Sequence, residues 1–114
     1  MFENRNPIRG SFQGQYTQEE NENYKLAFET LTNKFVDAMN ANLDVSSKEV
    51  QELVAEHYEF ISQFWKPNKS AYKELGQMYI LPTEYRETYE SFAPGLSQFH
   101  YEAMLIWADL NLEN

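Results

Sequence analysis

The chain has 114 residues, a formal charge of −9 at pH 7 and no cysteine, and its 8 Tyr, 8 Phe and 2 Trp give an aromatic share of 16%. That length holds one domain with one core, and 9 Lys and Arg scattered among 18 acids leave no basic stripe for phosphates, which argues against direct contact with nucleic acid. Without thiols there are no disulfides, cysteine nucleophiles or thiolate metal sites; with no apolar run of membrane-spanning length and no signal architecture at the start, a soluble cytoplasmic protein without membrane partners is expected.

Residues 1–16 place Asn6-Pro7, Gly10 and Gly14 among isolated Phe2, Ile8 and Phe12. They read as an irregular N-terminal arm ahead of a helical domain over residues 17–114. Thr17-Gln-Glu-Glu20 is a capping box. After it, Tyr24, Phe28, Leu31, Phe35 and Ala38 recur at steps of four and three, which predicts a helix to about Met39. The stretch Asn40–Val45 breaks the pattern, and Ser46-Ser-Lys-Glu49 is a second capping box. Val50, Leu53, Val54, His57, Ile61 and Phe64 form the next stripe, and Pro67 ends or redirects the chain. A short third helix carries Tyr72, Leu75, Gly76 and Tyr79 on one side. Thr83 is the expected N-cap of a fourth, with Tyr85, Thr88, Tyr89 and Phe92 on its face. Pro94 suits the first turn of a last helix bearing Leu96, Phe99, His100, Ala103, Trp107 and Leu110. No segment alternates with period two for the length of a strand. The expected fold class is all-α, a single compact domain of about five helices.

Two tripeptides repeat, His57-Tyr58-Glu59 and His100-Tyr101-Glu102. A carboxylate-bridged di-iron bundle needs Glu three residues before each His, where this chain has Val54 and Ser97. There is no His-Glu-x-x-His either, so both read as partly buried, hydrogen-bonded histidines and no metal is assigned. A haem reading would rest on helix content and one imidazole alone, so no cofactor is expected. Gly10-Ser-Phe-Gln-Gly14 lacks the Lys-Ser/Thr of a phosphate loop, and no Gly-x-Ser-x-Gly elbow offers an activated serine. The chain reads as non-enzymatic.

The rings carry the remaining signal. Phe28, Phe35 and Phe64 at helical spacing read as core. Tyr and Trp differ, because a buried hydroxyl or indole N–H needs a partner and favours a wet edge. Trp65, Tyr72, Tyr79, Tyr85 and Tyr89 gather around Pro67 and Pro82. Lining of a cleft and plain packing both satisfy that pattern.

The segments Val50-Gln-Glu-Leu-Val-Ala-Glu-His57-Tyr-Glu-Phe60-Ile61-Ser62-Gln63-Phe64-Trp65, Leu75-Gly76-Gln-Met78-Tyr79 and Ala93-Pro94-Gly95-Leu96, with Tyr89 and Phe99, resemble the TipAS antibiotic-recognition domain. This is the C-terminal effector module of drug-sensing transcriptional regulators of the MerR superfamily. The likeness runs from about Tyr16 to Leu110. It implies a globin-like helical arrangement, a cleft for apolar, often peptide-derived antibiotics, and an N-terminal segment able to order over the ligand as a lid. Some relatives carry a reactive cysteine in Phe-Tyr-Pro-Cys; here Phe64-Trp65-Lys66-Pro67 stands instead, so capture is expected to be non-covalent. No DNA-binding domain precedes Met1, so the chain by itself is not expected to read an operator.

Together these readings give an expected site of His57, Phe60, Trp65, Tyr72, Tyr79 and Tyr89. The rings line an aromatic cleft for an apolar small molecule or peptide antibiotic, and His57 is the polar anchor at one wall. The alternative is a protein-interaction module that accepts an amphipathic helix or associates with itself.

Overall fold

The structure, a computed structural model, describes residues 17–114; the expected arm of residues 1–16 lies outside the described residues. Five α-helices follow one another among them: α1 Gln18–Asn40, α2 Lys48–Ser62, α3 Lys69–Ile80, α4 Glu84–Phe92 and α5 Leu96–Asn111, with no strand. This is the expected all-α class, and it is compatible with the globin-like arrangement that the resemblance implies.

The chain divides after Thr30 into two units. The described part of the first is the opening of α1. Thr17 and Glu20 cap it reciprocally, Thr17 N–H donating to Glu20 Oε1 (2.8 Å) and Glu20 N–H to Thr17 Oγ1 (3.0 Å), as the capping box predicts.

The second unit holds the end of α1 and helices α2 to α5. Helix α1 stops in a Schellman turn: Asn42 adopts φ 61°, its N–H donates to Met39 O (3.0 Å), and Leu43 N–H donates to Ala38 O (3.1 Å). Asn tolerates this left-handed conformation better than other side chains of its size. The cap of α2 falls one residue beyond expectation. Ser46 instead donates its hydroxyl to Asp44 Oδ1 (2.7 Å), and Ser47 Oγ accepts Val50 N–H (3.3 Å). Tyr58 OH closes the following link by donating to Pro67 O (2.7 Å). Asn68 then caps α3 and Thr83 caps α4, the latter as expected.

The α4–α5 corner corrects the reading of Pro94, which precedes α5 rather than starting it. Gly95, at φ 89°, is the N-cap and has no side chain to offer. Glu90 of α4 replaces it: its Oε1 accepts Gly95 N–H (2.9 Å), and its Oε2 accepts Ser97 N–H (3.0 Å) and Ser97 Oγ–H (2.7 Å). Helix α5 is the element on which α2, α3 and α4 all pack. Its buried face is Leu96, Ser97, His100, Ala103, Met104 and Ala108, while Leu110 is 74% exposed. From Leu96 to Leu110 the expected stripe averages about 3.5 residues per turn, which on a straight helix drifts by about 40° over those nearly four turns.

Candidate functional site

Each helix of the second unit aims an aromatic or imidazole ring at one point. Phe35 comes from α1, His57 from α2, Tyr72 and Tyr79 from α3, Tyr89 from α4 and His100 from α5; all six are buried. His57 and His100, the histidines of the repeated tripeptide, meet edge to face with centroids 4.5 Å apart. Phe35 lies 4.3 Å from His100 on one side, and Tyr79 stacks on it at 5.5 Å on another. Tyr89 closes the group at 4.5 Å from Tyr79 and 5.2 Å from His100.

The cluster is polar as well as aromatic. His57 Nδ1 lies 2.7 Å from the Tyr72 hydroxyl, and its Nε2 lies 3.3 Å from that of Tyr79. A neutral imidazole donates from one nitrogen and accepts at the other, so each nitrogen faces a hydroxyl able to take the complementary part. Burial drives the His57 pKa down to about 3 and that of His100 well below the ordinary value, the second helped by the neighbouring His57. Burial also raises Tyr72, Tyr79 and Tyr89, so all five titratable rings are uncharged near neutral pH. The two nitrogens of His57 are occupied, whereas among the described residues the buried His100 Nε2 has no hydrogen-bond partner. Leaving such a group unmatched costs roughly 1–3 kcal/mol.

The cluster reaches solvent through Tyr85. This ring is 51% exposed and touches Tyr79 in an edge contact of 6.0 Å. Beside it, at the start of α4, lies an open groove of about 650 Å³ lined by Pro82, Thr83, Glu84, Tyr85, Glu87 and Thr88. A path of rings thus runs from a groove of ligand size through Tyr85 and Tyr79 to His57 and His100.

Of the residues expected from sequence, His57, Tyr72, Tyr79 and Tyr89 come together. Phe60 packs edge-on against Phe64 (5.6 Å), and Trp65 stands 46% exposed just beyond α2. Among the described residues neither stacks on the cluster. Trp107, expected only as a member of the α5 stripe, lies 5.1 Å from Tyr58 and 5.8 Å from Tyr72. His100 and Tyr85 are absent from the expected site. The signal for His100 was the repeated His-Tyr-Glu, considered for metal and haem but not as a second polar ring in the cleft. Among the described residues no group of three or more His, Asp or Glu could hold a metal ion, and no helix is long and apolar enough to cross a membrane.

Comparison with known proteins adds a family to this geometry. The family model for the TipAS antibiotic-recognition domain matches residues 11–107. Two curated relatives align, each the HTH-type transcriptional regulator SkgA of Caulobacter vibrioides, from strain NA1000 / CB15N and from strain ATCC 19089 / CIP 103742 / CB 15. Each is 32% identical over 73 residues, which cover 62% of this chain and 29% of the regulator. The match therefore spans less than a third of those regulators. No solved structure matches the chain significantly.

Proposed function

Because this chain belongs to the TipAS antibiotic-recognition domain family, we propose that it is a non-enzymatic, ligand-sensing domain of the kind a transcriptional regulator carries. The finer reading is non-covalent binding of an apolar small molecule or peptide-type antibiotic. The ligand occupies the groove beside Tyr85, and its polar end meets the buried rings of Tyr79, Tyr89, Tyr72 and His57 once the packed rings behind Tyr85, Tyr79 first, move aside. Affinity comes from buried apolar surface, at roughly 25 cal/mol per Å², and from about 0.5–1.5 kcal/mol for each well-placed ring.

One observation carries the proposal: a continuous run of rings joins an open groove to a buried polar cluster in which, among the described residues, His100 Nε2 lacks a partner. A hydrogen-bonding ligand group would relieve that deficit. Glu84 and Glu87 flank the groove and favour cationic or neutral guests over anionic ones.

The test is a titration of the whole chain with a panel of apolar antibiotics and dyes, followed by calorimetry and intrinsic fluorescence. Trp107, in contact with Tyr72, is the reporter. Binding should give a saturable fluorescence change that persists in Trp65→Phe and disappears in Trp107→Phe, while the calorimetric heat remains in both. Tyr85→Ala should weaken that binding by about tenfold, or about 1.4 kcal/mol. A panel that yields neither saturable heat nor a fluorescence change would sink the reading.

A further inference from the structure

A second groove lies away from the ring cluster, between the outer faces of α1 and α2. Lys34, Asp37 and Ala38 of α1 and Ala41 of the turn that ends it follow one another at i, i+3, i+4 and i+7; on α2, Glu49, Glu52, Leu53 and Glu56 do the same. These two stripes and Leu43 of the connecting turn enclose about 390 Å³. Ala38, Ala41, Leu43 and Leu53 make the floor apolar and, on the α1 side, shallow in side-chain relief. Each stripe covers two helical turns, about 10 Å of axis.

The rim is acidic. Four carboxylates stand around the floor against a single lysine, and that lysine is already used: Lys34 Nζ sits 3.3 Å from Glu56 Oε1. Among the described residues Asp37, Glu49 and Glu52 have no cationic partner. An apolar trough edged by unpaired carboxylates on both sides selects its occupant by charge. It repels nucleic acid, anionic lipid and a second copy of this acidic chain alike. Its open length suits an elongated guest rather than an enclosed small cation, and the alanines of the floor permit a backbone to approach closely.

We infer that this groove docks a basic amphipathic helix of a partner protein, its apolar ridge on Ala38, Ala41, Leu43 and Leu53 and its Lys or Arg residues against Asp37, Glu49 and Glu52. This is helix-in-groove recognition read through anchors at i, i+3 or i+4 and i+7. The inference stands independently of ligand binding at the ring cluster and gives the chain a second, separate surface.

The probe is a synthetic helix of about five turns with a Leu/Ala ridge edged by Lys. Its scrambled isomer and a version with Glu for Lys are the controls, each titrated calorimetrically against the whole chain at low and at physiological salt. The amphipathic basic isomer alone should bind, one to one and saturably. Its affinity should fall by about tenfold or more in the triple variant Asp37→Asn/Glu49→Gln/Glu52→Gln and on addition of salt. Backbone amide shifts should be confined to residues 34–43 and 49–56, and an unchanged circular dichroism spectrum establishes that the variant is folded. Equal binding of the scrambled isomer, unchanged affinity in the triple variant, shifts centred on other residues, or a dimer of the chain formed through this face would each overturn the inference.

Discussion

His57 and His100 are held without charge by their burial, and that has a consequence for stability. The unfolded chain protonates both near the ordinary value of 6.5, while the folded chain keeps His57 neutral down to about 3 and His100 well below the ordinary value. The groups facing them, Tyr72, Tyr79 and Tyr89, remain neutral throughout that window. The unfolded state therefore binds more protons below 6.5, and stability falls as the pH falls. Going from about pH 7.5 to about 5.5 should lower the unfolding free energy by about 1.3 kcal/mol for each histidine. Urea unfolding at the two pH values measures this, and His100→Phe, which keeps a ring beside Phe35, should remove half of the slope. An unfolding midpoint that does not move would mean that the imidazoles are hydrated.

At the scale of helices, two contacts fix how the elements meet. Gly76 of α3 faces α5 so closely that an added Cβ would lie 2.9 Å from Tyr101 Cδ1 and 3.4 Å from Met104 Sδ. Gly76→Ala gains helix propensity of up to about 1 kcal/mol but forces the Tyr101 ring aside, an overpacking that costs roughly 1–3 kcal/mol. A net loss of about 1 kcal/mol is expected, read as a lower thermal midpoint; a raised midpoint would show that α3 and α5 part easily. The second contact is Glu90, which binds the start of α5 from α4. The Gly95 N–H first, then Ser97, holds its pKa below the ordinary carboxylate value. Glu90→Gln should cost about 1 kcal/mol near neutral pH, from the lost charge at a helix N-terminus and a weakened cap. A depressed carboxylate stabilises above its unfolded pKa and ceases to do so as pH falls through the folded one. The gap between variant and parent should therefore close in acid, which paired denaturant titrations can follow.

Across the whole molecule, periodicity and capping chemistry were enough to place the helices, because Thr17, Thr83 and the apolar stripes act within a few residues of one another. They failed where the cap came from elsewhere: Glu90 replaces the absent side chain of Gly95, and no local pattern around Pro94 announces it. The site was legible residue by residue for His57, Tyr72, Tyr79 and Tyr89. Which faces converge was not, since the meeting of His57 with His100, and of Tyr85 with Tyr79, depends on how α2, α4 and α5 pack. Phe60 lies within α2 but packs on Phe64, and Trp65 falls beyond the end of the helix at Ser62. The imidazole lodged between two phenols has one more property. Shifting its proton from Nδ1 to Nε2 requires the Tyr72 and Tyr79 hydroxyls to turn in concert, so the bridge between α2 and α3 has two polarities with one set of heavy atoms. A guest that donates to this array would lock one of them, and the imprint would be written in hydrogens alone.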